Sequence, residues 1–266
     1  MTEEHLQRLC REIRADILNM IGHAKSGHPG GSLSCVEILA TLYFREMSAD
    51  PALPADRRDK CILCKGHAAP ALYAVLAHRG YFPRAELLTL RQLGSRLQGH
   101  PDMKKTPGVD ASTGSLGQGC SIAVGLALGA RLRGTGQKVF AVVGDGEIQE
   151  GQFWEAMMSA AHFKLTNLTV ILDHNGLQID GANDEVMSLG DIRAKLQAFG
   201  FAVIEADGHD ARQLLAAYGK QTDRPKFILA HTVKGKGVSF MENQAGWHGK
   251  APGTEETRQA LAELEA

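Results

Sequence analysis

The chain has 266 residues, of which 44% are hydrophobic and 22% charged, enough to bury a core of its own. Its 29 lysines and arginines nearly balance 30 aspartates and glutamates, which argues against nucleic acid binding because that requires a basic surface. The longest apolar run, residues 122–130, contains glycines and is far shorter than the ~20 residues of a membrane-spanning helix. Acids occupy the N terminus, where a signal peptide carries positive charge, so we expect a soluble, cytoplasmic protein.

Short apolar runs alternate with stretches of helical periodicity. In chain order, the pattern predicts helix 6–21, helix 36–45, strand 61–64, helix 71–79, helix 118–133, strand 139–143, helix 152–162, strand 168–173, helix 189–199, strand 202–205, helix 211–218, strand 227–231 and a helical tail at 254–265. Near-continuous apolar strands separated by helices are typical of a parallel sheet. We therefore expect an α/β fold, with helices on both faces of a parallel sheet, in a single domain (1–266) that ends in the short tail.

The cysteines indicate packing rather than chemistry. There are five of them, and an odd number without an export signal argues against a disulfide framework. Cys61 and Cys64 form a CxxC pair, which could indicate zinc or redox chemistry. They fall in a predicted buried strand, where positions three apart point to opposite faces. Core packing is the favoured interpretation.

Two loops that follow predicted strands carry the strongest chemical signal. One contains Gly144-Asp145-Gly146-Glu147, and the other, thirty residues further on, begins His174-Asn175-Gly176-Leu177. Thirty residues is the length of one strand–helix–strand unit, so both loops would meet at one edge of the sheet. A GDG alone is more often an ordinary glycine turn. Its pairing with an asparagine at this spacing favours a functional site.

These residue types suit a magnesium ion. Mg²⁺ prefers hard oxygen ligands, and takes one or two from carboxylates and the rest from phosphate and water. Asp145 would supply a carboxylate oxygen, Asn175 an amide oxygen and Leu177 a backbone carbonyl. A cation between Asp145 and a diphosphate would remove their repulsion, and the Gly146 N–H at a helix start could face a phosphate oxygen.

The two loops resemble the thiamine diphosphate motif of the transketolase family. Further matching segments occur in the family's order: SGHPGGSLS at 26–34, KGHAAPALYA at 65–74, QGHPD at 98–102, STGSLGQG at 112–119 and WHG at 247–249. They cover nearly the whole chain. The resemblance implies a thiamine diphosphate-binding fold and, as cofactors, thiamine diphosphate and Mg²⁺. The GDGE loop, with Gly144, Gly146 and Glu147, would contact the cofactor beside Asn175.

Of the eleven histidines, His28, His67, His100 and His248 each adjoin a glycine in a loop-like setting. Imidazole can donate or accept a hydrogen bond and transfer a proton near neutral pH. The resemblance implies that His67 touches the cofactor's phosphate region, and that His28 and His248 hold the substrate's hydroxyls and oxyanion. His100 would lie near the donor's first carbons. His248 would also contact the cofactor, and Gly114, Ser115 and Leu116 match the segment that lines the thiamine.

The resemblance also implies a partner. In full-length transketolases a second domain supplies the pyrimidine-binding residues and an activating glutamate, and this chain stops soon after WHG. We therefore expect a C-terminal transketolase-like subunit that carries that domain, with each active site between chains in an α2β2 heterotetramer. Glu150 matches a family glutamate at the contact between subunits, and a first-turn acid at a helix start is an equally good explanation.

The leading hypothesis is a split transketolase that moves a two-carbon ketol unit from a ketose phosphate to an aldose. The alternatives are the α chain of a 2-oxoacid dehydrogenase, a deoxyxylulose phosphate synthase, and a non-catalytic module that binds thiamine diphosphate. The segments SGHPGGSLS, KGHA and GSLGQG favour transketolase over the two other enzymes. The four histidines argue against the module, because diphosphate binding alone does not need them.

Overall fold

The computed structural model describes residues 1–265. A five-stranded sheet has the order β1-β2-β3-β5-β4, and all neighbouring strands are parallel. The strands are β1 Lys60–Leu63, β2 Val139–Gly144, β3 Leu168–His174, β4 Ala202–Asp207 and β5 Lys226–His231. The α-helices are α1 Glu3–Ala24, α2 Pro29–Ser34, α3 Val36–Thr41, α4 Ala69–His78, α5 Gln118–Leu132, α6 Gly151–His162, α7 Asn183–Val186, α8 Ile192–Ala198, α9 Ala211–Gly219 and α10 Thr254–Glu265.

The sheet separates two hydrophobic clusters. One contains buried residues of α1, α3, α4 and α9, and the other contains those of α5, α6 and α8. The predicted α/β fold with helices on both faces is therefore confirmed. Cys61 belongs to the first cluster and Cys64 to the second, as expected for strand positions on opposite faces. All five cysteines are buried and free.

The predicted strands all form, whereas some helices differ. The segment predicted as helix 36–45 leaves the α-helical path after Thr41 and continues as a π-helical turn, Leu42–Glu46. The helix predicted from residue 189 begins only at Ile192, because Gly190 has a φ of 56° and the Asp191 side chain caps the helix by accepting from the Ala194 N–H. Helix α2, which lies in a glycine-rich motif, is fully buried and was not predicted.

The sheet topology places the candidate loops. β2 and β3 are neighbours, with Gly144 opposite Asp173 in the register. Because the strands are parallel, the loops after β2 and β3 leave from the same edge. β1 and β5 flank this pair, so the loops after them, at 64–68 and 232–238, lie at that edge too. No helix within residues 1–265 is both long and apolar enough to cross a membrane.

Candidate active site

The two predicted metal-binding loops are joined directly by hydrogen bonds. The buried Asp145 carboxylate accepts from the Gly176 N–H at 2.7 Å, and its other oxygen lies 2.6 Å from Nδ1 of His174. The Asn175 Oδ1 accepts from the Leu177 N–H at 3.2 Å. The prediction that these loops meet at one edge is confirmed.

A cavity of about 350 Å³ opens beside these loops. Ser115 is exposed and lies outside its lining, although it belongs to the same turn as two lining residues. Most of the predicted cofactor and metal residues line the cavity: His67, Gly114, Leu116, Gly144, Asp145, Gly146, Glu147, Asn175, Leu177 and His248.

Two lysines that the sequence analysis did not single out also face the cavity. Lys65 and Lys234 are both almost fully buried. Lys65 pairs with the buried Asp173 and donates to the Gly31 carbonyl at 2.7 Å. Lys234 contacts the Gln178 carbonyl oxygen at 3.3 Å and Nδ1 of His248 at 3.2 Å. The lining of the cavity therefore contains two lysines, of which Lys65 is paired with a carboxylate.

Lys234 forms no ion pair within residues 1–265. Burial, together with the charge of Lys65, lowers the pKa of Lys234 to about 8. At neutral pH the Lys234 side chain is therefore still mostly protonated. A buried ammonium group without a carboxylate partner is costly. Because it faces a cavity, an anionic ligand would relieve that cost.

Asp173, near the end of β3, lies behind the cavity and is fully buried. Its buried carboxylate accepts from Ser34 Oγ at 2.6 Å, from Thr232 and from Lys65. These donors come from α2, from the loop after β5 and from the loop after β1. Burial acts to raise the pKa of Asp173, but the Lys65 charge and the hydrogen bonds lower it. Asp173 is thus an ionised anchor for three elements.

Glu147 has a structural role in addition to the predicted contact with the cofactor. Its buried carboxylate accepts from the Gly117 N–H at 3.0 Å and from the Gly144 N–H at 3.3 Å. Burial raises its pKa to about 7. Glu147 therefore holds the start of α5 against the GDGE loop, and lines the cavity while doing so. Glu150 is exposed at the start of α6, and within residues 1–265 its side chain makes no capping hydrogen bond.

His28, His67, His100 and His248 come together, and we call them the histidine cluster. His67 and His248 line the cavity, whereas His28 and His100 lie beside them, outside its lining. The ring centre of His28 lies 5.3 Å from that of His67, 5.4 Å from that of His248 and 6.4 Å from that of His100. The rings of His67 and His248 are 5.0 Å apart. Gly114 has a φ of 146°, and an added Cβ would lie 3.0 Å from the His100 ring. Glycine is therefore required for this close approach.

The histidine cluster is neutral at physiological pH. Burial, helped by the charges of Arg91 and Lys234, lowers the pKa of His28 to about 4, and burial with Lys234 does the same for His248. The pKa values of His67 and His100 are also lowered, chiefly by burial. Nδ1 of His28 is buried without a hydrogen-bond partner in the part of the chain that the structure describes. Neutral rings with free nitrogens can bind hydroxyl groups and accept protons.

Within residues 1–265 there is no group of three or more His, Cys, Asp or Glu side chains that could hold a metal ion. The predicted ligand set is of another kind, with one carboxylate, one amide and one backbone carbonyl. Such a set depends on phosphate and water oxygens to complete the coordination of Mg²⁺. Its position beside two lysines fits a metal–diphosphate group.

Comparison with known proteins decides the family. The family description "Transketolase, thiamine diphosphate binding domain" matches residues 5–265. The chain belongs to the transketolase family. A transketolase subunit for 6-deoxy-6-sulfo-D-fructose from Clostridium sp. (strain MSTE9) is 44% identical, and the match covers 98% of this chain and 96% of that one. One subunit of an apulose-4-phosphate transketolase from Phocaeicola vulgatus is 38% identical over 99% of this chain and 95% of its own.

Full-length transketolases match as well. Human transketolase is 40% identical, but the match covers 92% of this chain and only 40% of the human enzyme. The transketolase structure from Leishmania mexicana superposes with a TM-score of 0.92 and 32% identity, over 100% of this chain and 42% of that one. The prediction of a transketolase subunit of a split enzyme is confirmed by the relatives of matching length. Thiamine diphosphate binding is confirmed at the level of the domain family.

Proposed function

We propose that this transketolase subunit holds the diphosphate of thiamine diphosphate through Mg²⁺ and transfers a two-carbon ketol unit from a ketose phosphate donor to an aldose acceptor. The observation that carries the proposal is one cavity that joins two kinds of group. Oxygen ligands and buried lysines line one part of it, and the neutral histidine cluster lies at its end. The first part suits a metal–diphosphate group, and the second suits the hydroxyls of a sugar.

The residues of the chain fit the metal–diphosphate group. Asp145, Asn175 and the Leu177 carbonyl would ligate Mg²⁺, and the ammonium groups of Lys65 and Lys234 would neutralise the remaining negative charge. Lys234, in particular, is buried and forms no ion pair within residues 1–265. When bound, thiamine diphosphate supplies the electron sink that carbon–carbon bond cleavage at a ketose requires.

The histidine cluster would bind and orient the donor. His28 and His248 are neutral, with their rings edge-on to each other. His28 can donate one hydrogen bond and accept another, whereas Nδ1 of His248 accepts from Lys234, which leaves Nε2 of His248 as a donor. Fixed donors at the site where an oxyanion develops give large rate effects. The Nδ1 atom of His28 is a suitable partner for a substrate hydroxyl. His100, more exposed at the entrance, would contact the first carbons of the donor.

The partner is proposed to be a C-terminal transketolase-like subunit with the pyrimidine-binding domain and an activating glutamate, in an α2β2 heterotetramer. The chain spans about 40% of the full-length transketolases that it matches, so most of the length of those enzymes has no counterpart here. Large apolar side chains beside the cavity are exposed, among them Ile179 at 64% and Met187 at 60%. Exposed apolar surface at a site is typical of a contact between protein chains.

The proposal also covers the donor sugar, the domain organisation and the cellular location. Two relatives are named for 6-deoxy-6-sulfo-D-fructose and for apulose-4-phosphate, both of which carry an anionic group. We therefore expect a donor with an anion distant from its carbonyl. A single domain over residues 1–266 and a cytoplasmic location complete the proposal.

The test is a ketol transfer assay with the chain and the product of the adjacent reading frame, in the presence of Mg²⁺ and thiamine diphosphate. The proposal expects transfer from a ketose phosphate to an aldose only when both proteins are present. Full activity of the isolated chain would contradict the split-enzyme part. Turnover of pyruvate with an electron acceptor, without ketol transfer, would contradict the activity itself.

A further inference from the structure

A largely buried network of polar side chains lies behind the loop that carries Lys234, outside the cavity of the candidate active site. It consists of Arg14 on α1, Glu37 on α3 and His209 in the loop after β4, and we call it the clamp. Arg14 binds both oxygens of Glu37, at 2.6 and 2.7 Å. Nδ1 of His209 lies 2.9 Å from Oε2 of Glu37. Burial alone would raise the pKa of Glu37, but the charge of Arg14 and the bond from His209 lower it to about 2.

The hydrogen bonds assign the tautomer of His209. The Val233 N–H donates to Nε2 of His209 at 2.9 Å, so Nε2 is an acceptor without a proton. Nδ1 therefore carries the hydrogen and donates it to Glu37. A neutral histidine of this kind links the carboxylate of Glu37 to the backbone of residue 233.

The clamp holds the Lys234 loop on both sides of the lysine. Before it, the Val233 N–H binds His209. After it, the Lys236 carbonyl accepts from Nε of Arg14 at 3.0 Å. Neither of these contacts involves the Lys234 side chain, which points into the cavity from between them.

We propose that Arg14, Glu37 and His209 are positioning residues, which fix the loop at 232–238 so that the Lys234 ammonium group faces the diphosphate part of the cavity. The proposal rests on the proposed function for the identity of the ligand. A long lysine side chain loses considerable rotamer freedom when it is held at a binding site. A rigid loop removes the additional cost of ordering the backbone when the anion binds.

Two substitutions at His209 separate the two hydrogen bonds that its ring makes, one to Glu37 and one to the Val233 N–H. In His209→Asn, the short carboxamide can still reach Glu37 but not the Val233 N–H. In His209→Gln, the longer carboxamide can offer its oxygen to the Val233 N–H. If the clamp positions the loop, His209→Asn weakens binding of thiamine diphosphate with Mg²⁺ by about tenfold, and His209→Gln restores most of it. Isothermal titration calorimetry of the full chain assembled with its partner subunit measures both.

Combining His209→Asn with Lys234→Met distinguishes an effect on the position of Lys234 from a general disturbance of the fold. If the clamp acts through Lys234, His209→Asn changes affinity less than about twofold in that background. An undiminished tenfold loss there would overturn the proposal. His78→Asn is a matched control, because His78 also binds a carboxylate, Asp16 at 2.9 Å, but lies at the far end of α4. It should leave the affinity unchanged.

A second measurement does not depend on the cofactor. Amide hydrogen exchange of the peptide that contains residues 232–238 should be faster in His209→Asn than in the parent and in His209→Gln. Equal exchange in all three chains would overturn the proposal. If the parent chain assembled with its partner subunit binds no thiamine diphosphate, the proposed function fails, and the exchange measurement still decides whether the clamp holds the loop.

Discussion

The two ends of the cavity are built in opposite ways. At one end, which we call the ionic end, Lys65, Asp145 and Lys234 line the cavity with Asp173 behind them, and hydrogen bonds from several loops hold these side chains. At the other end, the histidine cluster is neutral, and one of its buried ring nitrogens has no partner within residues 1–265. The difference supports the proposed division of labour, in which one end is a fixed frame for the metal–diphosphate group and the other offers donors and acceptors to the hydroxyls of the sugar.

Removing a charged side chain from the ionic end should have the largest effect, and that effect should be on stability. Lys65→Met leaves the carboxylate of Asp173 buried without its cation, and such losses cost about 3–5 kcal/mol of folding free energy. Chemical denaturation measures the change. The matched control is Lys138→Met, which removes an exposed ion pair with Glu46 and should cost less than about 1 kcal/mol. Equal losses in the two variants would contradict the role of Asp173 as a buried anchor.

Breaking the histidine cluster should affect turnover instead of stability. His28→Asn keeps a polar side chain but removes the imidazole ring that lies beside those of His248 and His67. We expect kcat for ketol transfer to fall about a hundredfold in the assembled enzyme, with thiamine diphosphate affinity within about twofold of the parent. A parallel loss of cofactor affinity would show that the two ends are not separate.

Lys234 stands at the boundary between the two ends, because its ammonium group contacts His248. Lys234→Met should weaken thiamine diphosphate binding by about tenfold, as expected for one charge-assisted contact. The free energy of unfolding should rise or stay the same, since a buried charge without a carboxylate partner is replaced by an apolar side chain. Calorimetric titration and denaturation of the same variant would test both parts. Marked destabilisation would mean that Lys234 is structural.

The smallest expected effect concerns the change in unfolding free energy as the pH is lowered. The pKa values of His28 and His248 are about 4 in the fold, below the ordinary value of about 6.5 that the unfolded chain has. The unfolded chain therefore binds more protons between about pH 6.5 and 4, and stability falls as the pH is lowered through that window. The double variant His28→Asn/His248→Asn should show a shallower fall in unfolding free energy. An unchanged slope would argue against neutral histidines in the parent.

The sequence revealed those parts of the molecule that depend on local pattern. Near-continuous apolar runs predicted all five strands, and glycine-flanked motifs in chain order pointed to Asp145, Asn175 and the four histidines. Lys65 and Lys234 were missed because lysine is common, and what makes them unusual is burial. The partner of Lys65, Asp173, is 108 residues away and comes close only when β1, β2 and β3 pair. A signal was available in both cases: each lysine directly follows a predicted strand or lies within three residues of one.

The central claim is that the loops after β2 and β3 together hold a divalent cation for a diphosphate. The direct measurement is calorimetric titration of thiamine diphosphate into the parent chain and into Asp145→Ala/Asn175→Ala, each with Mg²⁺ and with EDTA. The account predicts that Mg²⁺ strengthens binding to the parent and has no effect on the double variant. Metal-dependent binding of equal strength in both chains would contradict it.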